Sequence, residues 1–225
     1  MTTPASTPEQ TVDVLIVGGG GAGLTASMLL SHLGVEHLLV SAMPTTSVLP
    51  KAHVLNQRTM EILEDAGVAG AIKARSTPAA NMAATAFYAG LAGATEDHGR
   101  RIARLESWGA GGADESWSAA SPWRQLNLPQ IRLEPLMKAH AETLAPGRIR
   151  FGHELTALEQ DDEGVTATVR DVEAETEYTV HSRYLIGADG GRTVPGLIGV
   201  KHEGLGHVTE TATMHVSADF SKLAQ

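Results

Sequence analysis

Val12-Asp13-Val14-Leu15-Ile16-Val17, then Gly18-Gly19-Gly20-Gly21-Ala22-Gly23, then Leu24 to Leu33 is the stretch whose reading decides the fold. The apolar, β-branched run predicts a buried parallel strand. The glycines predict a tight turn into a helix, with Ala22, Ala26, Leu29 and Leu33 along one helix face. Gly18, Gly20 and Gly23 fit G-x-G-x-x-G. In that pattern the first glycine makes the turn and the second lets a pyrophosphate approach the backbone. The third lets the helix pack on the strand. Free N–H groups and the positive end of the helix dipole then face the phosphates. A dinucleotide site follows, with Gly18, Gly20, Gly21, Ala22 and Gly23 as its loop.

The rest of the chain sets bounds on that reading. Its 225 residues suffice for one large domain or two small ones. The net charge is -9 with no Lys/Arg block, which argues against nucleic acid as a partner. Zero cysteines exclude disulfides, thiolate metal sites and cysteine nucleophiles. Met1 to Gln10 reads as a loose tail without signal-peptide character. No apolar run approaches the ~20 residues of a membrane span, so a cytoplasmic protein is the default.

Val35 to Val40 predicts a second strand that closes a βαβ unit, and Ser41 occupies the position where an acid usually binds the adenosine ribose. A serine can still hydrogen-bond a ribose, less strongly than a carboxylate. A loop from Met43 to His53 leads to a helix over Asn56 to Asp65, and Ala69 to Ala74 adds a helical turn. Asn81 to Ala89 and Arg101 to Trp108 read as partner strands. Gly109 to Ser121 reads as a surface loop, with Trp108, Trp117 and Trp123 packing at or near its edges. A helix is expected from Glu134 to Leu144, with Pro135 in its first turn. Arg148 to Gly152 reads as a short strand, and Glu154 to Gln160, Val165 to Asp171 and Glu177 to Arg183 read as three strands joined by hairpin-like turns. Tyr184 to Ala188 is expected as a further buried strand entering Asp189-Gly190-Gly191-Arg192, and Leu205 to Phe220 as the start of another β element. His202-Glu203-Gly204-Leu205-Gly206-His207 has the wrong spacing for a zinc helix, and its glycines oppose one.

Four motifs in order carry a family resemblance: Val14 to Gly23, His53 to Leu63 (HVLNQRTMEIL), Leu128-Pro129-Gln130 with Leu133-Glu134-Pro135-Leu136, and Gly187 to Arg192 (GADGGR). Together they resemble single-component FAD-dependent aromatic hydroxylases, in particular the phenol and chlorophenol hydroxylases. The resemblance implies an α/β, glutathione-reductase-type, Rossmann-like FAD-binding fold with a β-meander, plus part of a substrate-domain sheet. It also implies FAD as cofactor, NAD(P)H as reductant, O2-dependent hydroxylation of a phenolic ring, and room for a homodimer in the full-length form. The flavin carries that chemistry, while the protein supplies position and electrostatics.

On this resemblance Gly18, Gly20, Ala22 and Gly23 form the pyrophosphate loop. Lys51 stands where relatives have an arginine, keeping the charge without the bidentate fork. Gln130 bonds the pyrophosphate–ribityl region, and Asp189 and Gly190 form the Asp-Gly motif used toward FAD and nicotinamide. Arg58 either pairs locally or faces the flavin. His53 is the candidate catalytic residue, an imidazole able to accept the phenol proton, with a merely hydrogen-bonded histidine as the alternative. Thr193-Val194-Pro195-Gly196 reads as helix-breaking. The resemblance runs from about Thr11 to the last residue, and relatives are more than twice as long. Their later Gly-Asp motif is absent from this sequence. The chain therefore reads as an N-terminal portion: residues 1–10 a tail, 11–225 an incomplete FAD-binding domain, with 80–127 and 205–225 contributing to a substrate domain. The alternative is a nucleotide-binding fragment without turnover. An NAD-dependent dehydrogenase is a third reading, opposed by Asp189-Gly190 and the meander.

Overall fold

A computed structural model describes residues 9–90, 93, 95–109, 111, 113–210, 212, 214 and 216–219. The chain divides into two compact units, the first made of Met1–Lys51, Asp65–Val68 and Gln130–Thr209, the second of Ala52–Glu64, Ala69–Pro129 and Glu210–Gln225.

The first unit is built on one six-stranded sheet. Its strands are β1 (Glu9–Val17), β2 (His37–Ser41), β7 (Ile149–Phe151), β8 (His153–Gln160), β9 (Val165–Asp171) and β10 (Thr176–Gly187), in the order β7-β2-β1-β10-β9-β8. The four strands β7, β2, β1 and β10 are parallel, and β10, β9 and β8 form an antiparallel meander. Leu15, Ile16, Leu38, Leu39 and Val40 are fully buried, as continuous apolar strands covered on both faces must be. One core cluster joins Val12, Leu15 and Val17 of β1 with Leu38 and Val40 of β2 and with Leu155, Ala167, Val169 and Val180 of the meander. Helices α1 (Gly21–His32) and α5 (Gln130–Leu144) pack together, and α1 lies against β1 and β2.

The second unit holds most of α2 (Gln57–Asp65), α3 (Ala69–Arg75), the hairpin of β4 (Ala84–Tyr88) and β5 (Arg101–Glu106), α4 (Glu115–Ala120), and the short pair β3 (Val54–Leu55) and β6 (Leu126–Asn127). Its interior includes Met60, Leu63, Ile72, Met82 and Leu128.

Several sequence expectations need correction. Glu9 and Gln10, read as tail, open β1 because they pair with Thr179 and Val180. The buried side of α1 is Gly23, Leu24, Ser27 and Met28, whereas Leu33 is 75% exposed. Close packing of Gly23 on the strand turn selects that face, and Ser27 is tolerated there because its hydroxyl meets His37 Nε2 at 2.8 Å. Helix α5 begins at Gln130, so Pro135 lies inside it, on the side away from buried Leu133, Met137 and Ala141. The supposed loop 109–121 contains α4, capped by Asp114, whose carboxylate accepts from Ser116 N at 2.9 Å. Strand β10 runs unbroken through Gly187, and Tyr184 is 61% exposed, so no separate buried strand starts there. Among the described residues of 205–220 there is no strand, and the remainder of that stretch lies outside the described residues.

Candidate functional site

The parallel strands β1, β2 and β10 end together at Val17, Ser41 and Gly187. Open α/β sheets bind ligands just beyond such carboxyl ends. A cleft of ≈ 480 Å³ lies there, wholly within the first unit, and its lining includes Gly18 to Ala22, Ser41, Lys51, Gln130, Asp189 and Gly190. Ten of the twelve residues singled out in the sequence thus fall in or against it, counting Gly23 directly behind the turn.

The glycines differ in what forces them. Gly18 has φ +119, and a Cβ there would stand 2.2 Å from the Ala188 carbonyl oxygen. At Gly23 a Cβ would stand 1.9 Å from the Gly18 carbonyl oxygen. A Cβ on Gly19 would meet the Phe151 ring at 2.5 Å, a constraint that G-x-G-x-x-G does not mark. Gly20 is different: its nearest neighbour would be Glu134 Oε1 at 3.9 Å. The second glycine of the motif is therefore open to the cleft, whereas the first and third are closed by backbone.

The backbone of this turn is held from both sides. Gly18 N donates to Val40 O at 2.8 Å, and Ala188 N donates to Val17 O at 2.7 Å. Gly20 is the N-cap of α1 and offers no side chain, and the first turn carries no acid. The first helical N–H groups and the positive helix end are left for an anion.

Opposite the glycines stands Glu134, 3% exposed, which sequence reasoning did not single out as a site residue. Its Oε2 accepts from Ser47 N at 2.7 Å, and its Oε1 accepts from Gln130 Nε2 at 2.9 Å. Gln130 N in turn donates to Pro50 O at 2.9 Å. Glu134 thereby fixes both the 42–50 loop and the Gln130 side chain. The four-residue spacing of Gln130 and Glu134 on a helix was the available signal.

Asp189 follows β10. Its Oδ1 accepts from Gly191 N at 3.0 Å, and its Oδ2 accepts from Val194 N at 2.8 Å and from Thr193 N at 2.5 Å. Burial pushes this carboxyl up, but the N–H donors of Val194, Thr193 and Gly191 outweigh it and hold the carboxyl below its ordinary range. The same bonds start the short helix α6 (Val194–Leu197), so the segment read as helix-breaking is helical, with Pro195 in the tolerated first turn.

His53 and Arg58 belong to the second unit. His53 Nδ1 lies 3.1 Å from Asn127 Oδ1, and its carbonyl accepts from Leu128 N at 2.7 Å. An amide oxygen only accepts, so this contact is met by the tautomer with its proton on Nδ1, in which Nε2 keeps the lone pair. Arg58 forms an ion pair with Glu61 at 2.8 Å. Hydrogen bonds from Ser121 and Arg58 hold Glu61 below the usual carboxylate range. Asn56 Oδ1 caps α2 by accepting from Thr59 N at 2.8 Å, and Gln57 Nε2 donates to the carbonyls of Trp117 and Trp123. No described helix is long and apolar enough to cross a membrane.

A mostly parallel sheet with a glycine turn, a free helix N-terminus and a trailing meander defines a dinucleotide-binding α/β protein. Residues 11–225 match the FAD binding domain family, and the chain belongs to that family. It is 37% identical over 212 residues to 2,4-dichlorophenol 6-monooxygenase of Delftia acidovorans, covering 93% of this chain and 35% of that enzyme. Against phenol 2-monooxygenase of Pseudomonas sp. (strain EST1001) it is 38% identical over 192 residues, covering 85% and 30%. Among solved structures, the flavin-dependent monooxygenase PieE, crystallised with FAD and substrate, aligns with a TM-score of 0.80 at 44% identity, covering 88% of this chain and 33% of PieE. The chain spans about a third of the length of these relatives.

Proposed function

We propose that this chain is the FAD-binding part of a single-component aromatic hydroxylase that uses NAD(P)H and O2 on a phenolic ring. The observation that carries this is the opening at Gly20 into a cleft where Ser41, Lys51, Gln130 and Asp189 converge. Two phosphates fit such a cradle: close backbone approach at Gly20, unspent helix N–H groups and the Lys51 charge favour a diphosphate. Ser41, buried at the end of β2, offers a hydroxyl for the ribose. Gln130, its amide oriented by Glu134, stands in the wall of the same cleft. Asp189 acts by tying the 189–194 turn into shape, so it is a positioning residue as much as a contact. Flavin, when bound, supplies the redox chemistry. His53 Nε2 is the atom that takes the phenol proton, directly or through one water, and Asn127 holds its tautomer.

The relatives named for phenol and dichlorophenol set the substrate class of the proposal. The test joins this chain to the C-terminal part of a related phenol hydroxylase and follows NAD(P)H oxidation and catechol formation. Catechol formed in proportion to bound FAD supports the proposal. FAD binding with NAD(P)H oxidation but no hydroxylated product refutes the phenolic reading, and absence of FAD binding refutes the whole.

A further inference from the structure

A second cleft, of ≈ 420 Å³, lies wholly within the second unit. Its walls include the Trp123 indole and the rings of Pro78 and Pro122, and its polar groups include Lys73, Arg124 and Gln125. That volume is in the range of small-molecule sites. The charge is one-sided: no Asp or Glu lines the cleft, and among the described residues neither Lys73 nor Arg124 makes an ion pair. For a chain of net charge -9, two uncompensated cations at one concavity are unusual. Lys73 Nζ stands 5.7 Å from the Trp123 ring centroid, which places an ammonium beside an aromatic wall. Gln125 is 6% exposed, yet its Nε2 has no hydrogen-bond partner. That nitrogen has almost no accessible surface, and Gln125 also borders the neighbouring cavity beside Trp117, so the polar end of the cleft rests on Lys73 and Arg124.

We propose that this cleft binds a small planar aromatic acid, its ring on the Trp123, Pro78 and Pro122 wall and its carboxylate at Lys73 and Arg124. A carboxylate fits the polar end because two cations, Lys73 and Arg124, line it with no acid beside them. A phosphate fits less well, since the donors it would want are spent: Thr77 N donates to Asn127 O at 2.9 Å, and Ser76 Oγ donates to Ile72 O at 2.8 Å. The apolar wall selects an aromatic acid over an inorganic anion. The site involves none of the cofactor cleft's residues and does not depend on flavin.

The test titrates the 15N-labelled whole chain, without FAD, with benzoate, and reads the three tryptophan indole resonances. Loss of one peak in Trp123→Phe assigns Trp123. Benzoate should move that peak saturably while leaving the Trp108 and Trp117 peaks in place. Lys73→Gln with Arg124→Gln should weaken the response roughly tenfold or more. The Trp108 and Trp117 peaks report that the double variant is folded. No saturable movement with benzoate overturns the proposal, as does an unchanged response in the double variant. Equal response to sulfate also overturns it, since the site would then be a general anion contact.

Discussion

Gly20 and Gly23 sit three residues apart, and the same substitution should act on them in opposite ways. At Gly23 an alanine Cβ would begin 1.9 Å from the Gly18 carbonyl oxygen, so turn and helix must part by about 1.5 Å to restore an ordinary 3.4 Å contact. The atom in the way is backbone at the end of a strand whose last four residues are buried, and it cannot swing aside. Overpacking of this kind costs typically ~1–3 kcal/mol and sometimes more, and a backbone clash belongs at the upper end. Gly23→Ala should therefore lose about 3 kcal/mol. At Gly20 the backbone is extended, φ -83 and ψ -174, a conformation that alanine accepts, and the nearest atom to its Cβ is 3.9 Å away. Removing glycine entropy from the unfolded chain gains ~0.4–1 kcal/mol. Replacing glycine by alanine at an N-cap loses a similar amount. Gly20→Ala should thus leave stability within about 1 kcal/mol of the parent while filling the space that a pyrophosphate needs. Urea unfolding followed by circular dichroism measures the first quantity, and flavin fluorescence in an FAD titration measures the second. If Gly20→Ala unfolds as early as Gly23→Ala, or binds FAD as the parent does, the division of labour within the glycine turn is wrong.

In the enzyme completed with a relative's C-terminal part, His53→Ala should slow hydroxylation by ~10²–10⁴ while FAD binding stays near parental. Unchanged hydroxylation per bound flavin would make His53 a structural residue. Asp189 has its pKa lowered, so its stabilising contribution is complete above about pH 3.9 and is lost as pH falls through the folded value. Asp189→Asn should accordingly flatten the fall in melting temperature below about pH 4, and an unaltered acid limb would contradict that account. Ser27→Ala removes the hydroxyl that meets His37 Nε2 at 2.8 Å and leaves a buried ring nitrogen unpaired, at a cost of about 1–3 kcal/mol in urea unfolding. A loss below a few tenths would show that His37, whose Nδ1 already meets Val35 O at 3.0 Å, has no need of the serine.

What the sequence made legible was local. The glycine turn could be read because its spacing is itself the motif, although the atoms that close Gly18 and Gly19 belong to Ala188 and Phe151, and the apolar strands because parallel strands are buried on both faces. The face of α1 could not be read from apolar spacing. Ser27 interrupts that spacing, and what admits it to the interior is a histidine on the next strand. Pro135 misled in the same way: proline is usually a first-turn residue, but Leu133, Met137 and Ala141 bury one face that extends on both sides of it.

The site shows a sharper version of this limit. Ser41, Lys51, Gln130 and Asp189 could be selected by matching positions in ordered motifs, and they do share one cleft. Glu134 could not be selected for its role, because the amide it holds belongs to Ser47, 87 residues earlier. Nor could Gly19, whose constraint is the Phe151 ring. Both residues connect the glycine turn and its facing loop to segments distant in sequence. A motif records the atoms that touch a ligand, whereas the precision with which they are held is set by such long-range contacts. That is why Glu134→Leu should disturb the cleft more than Ser41→Ala: the leucine leaves Ser47 N and Gln130 Nε2 without their acceptor and frees the loop that carries Lys51, whereas the alanine removes a single hydroxyl from a position the strand continues to hold.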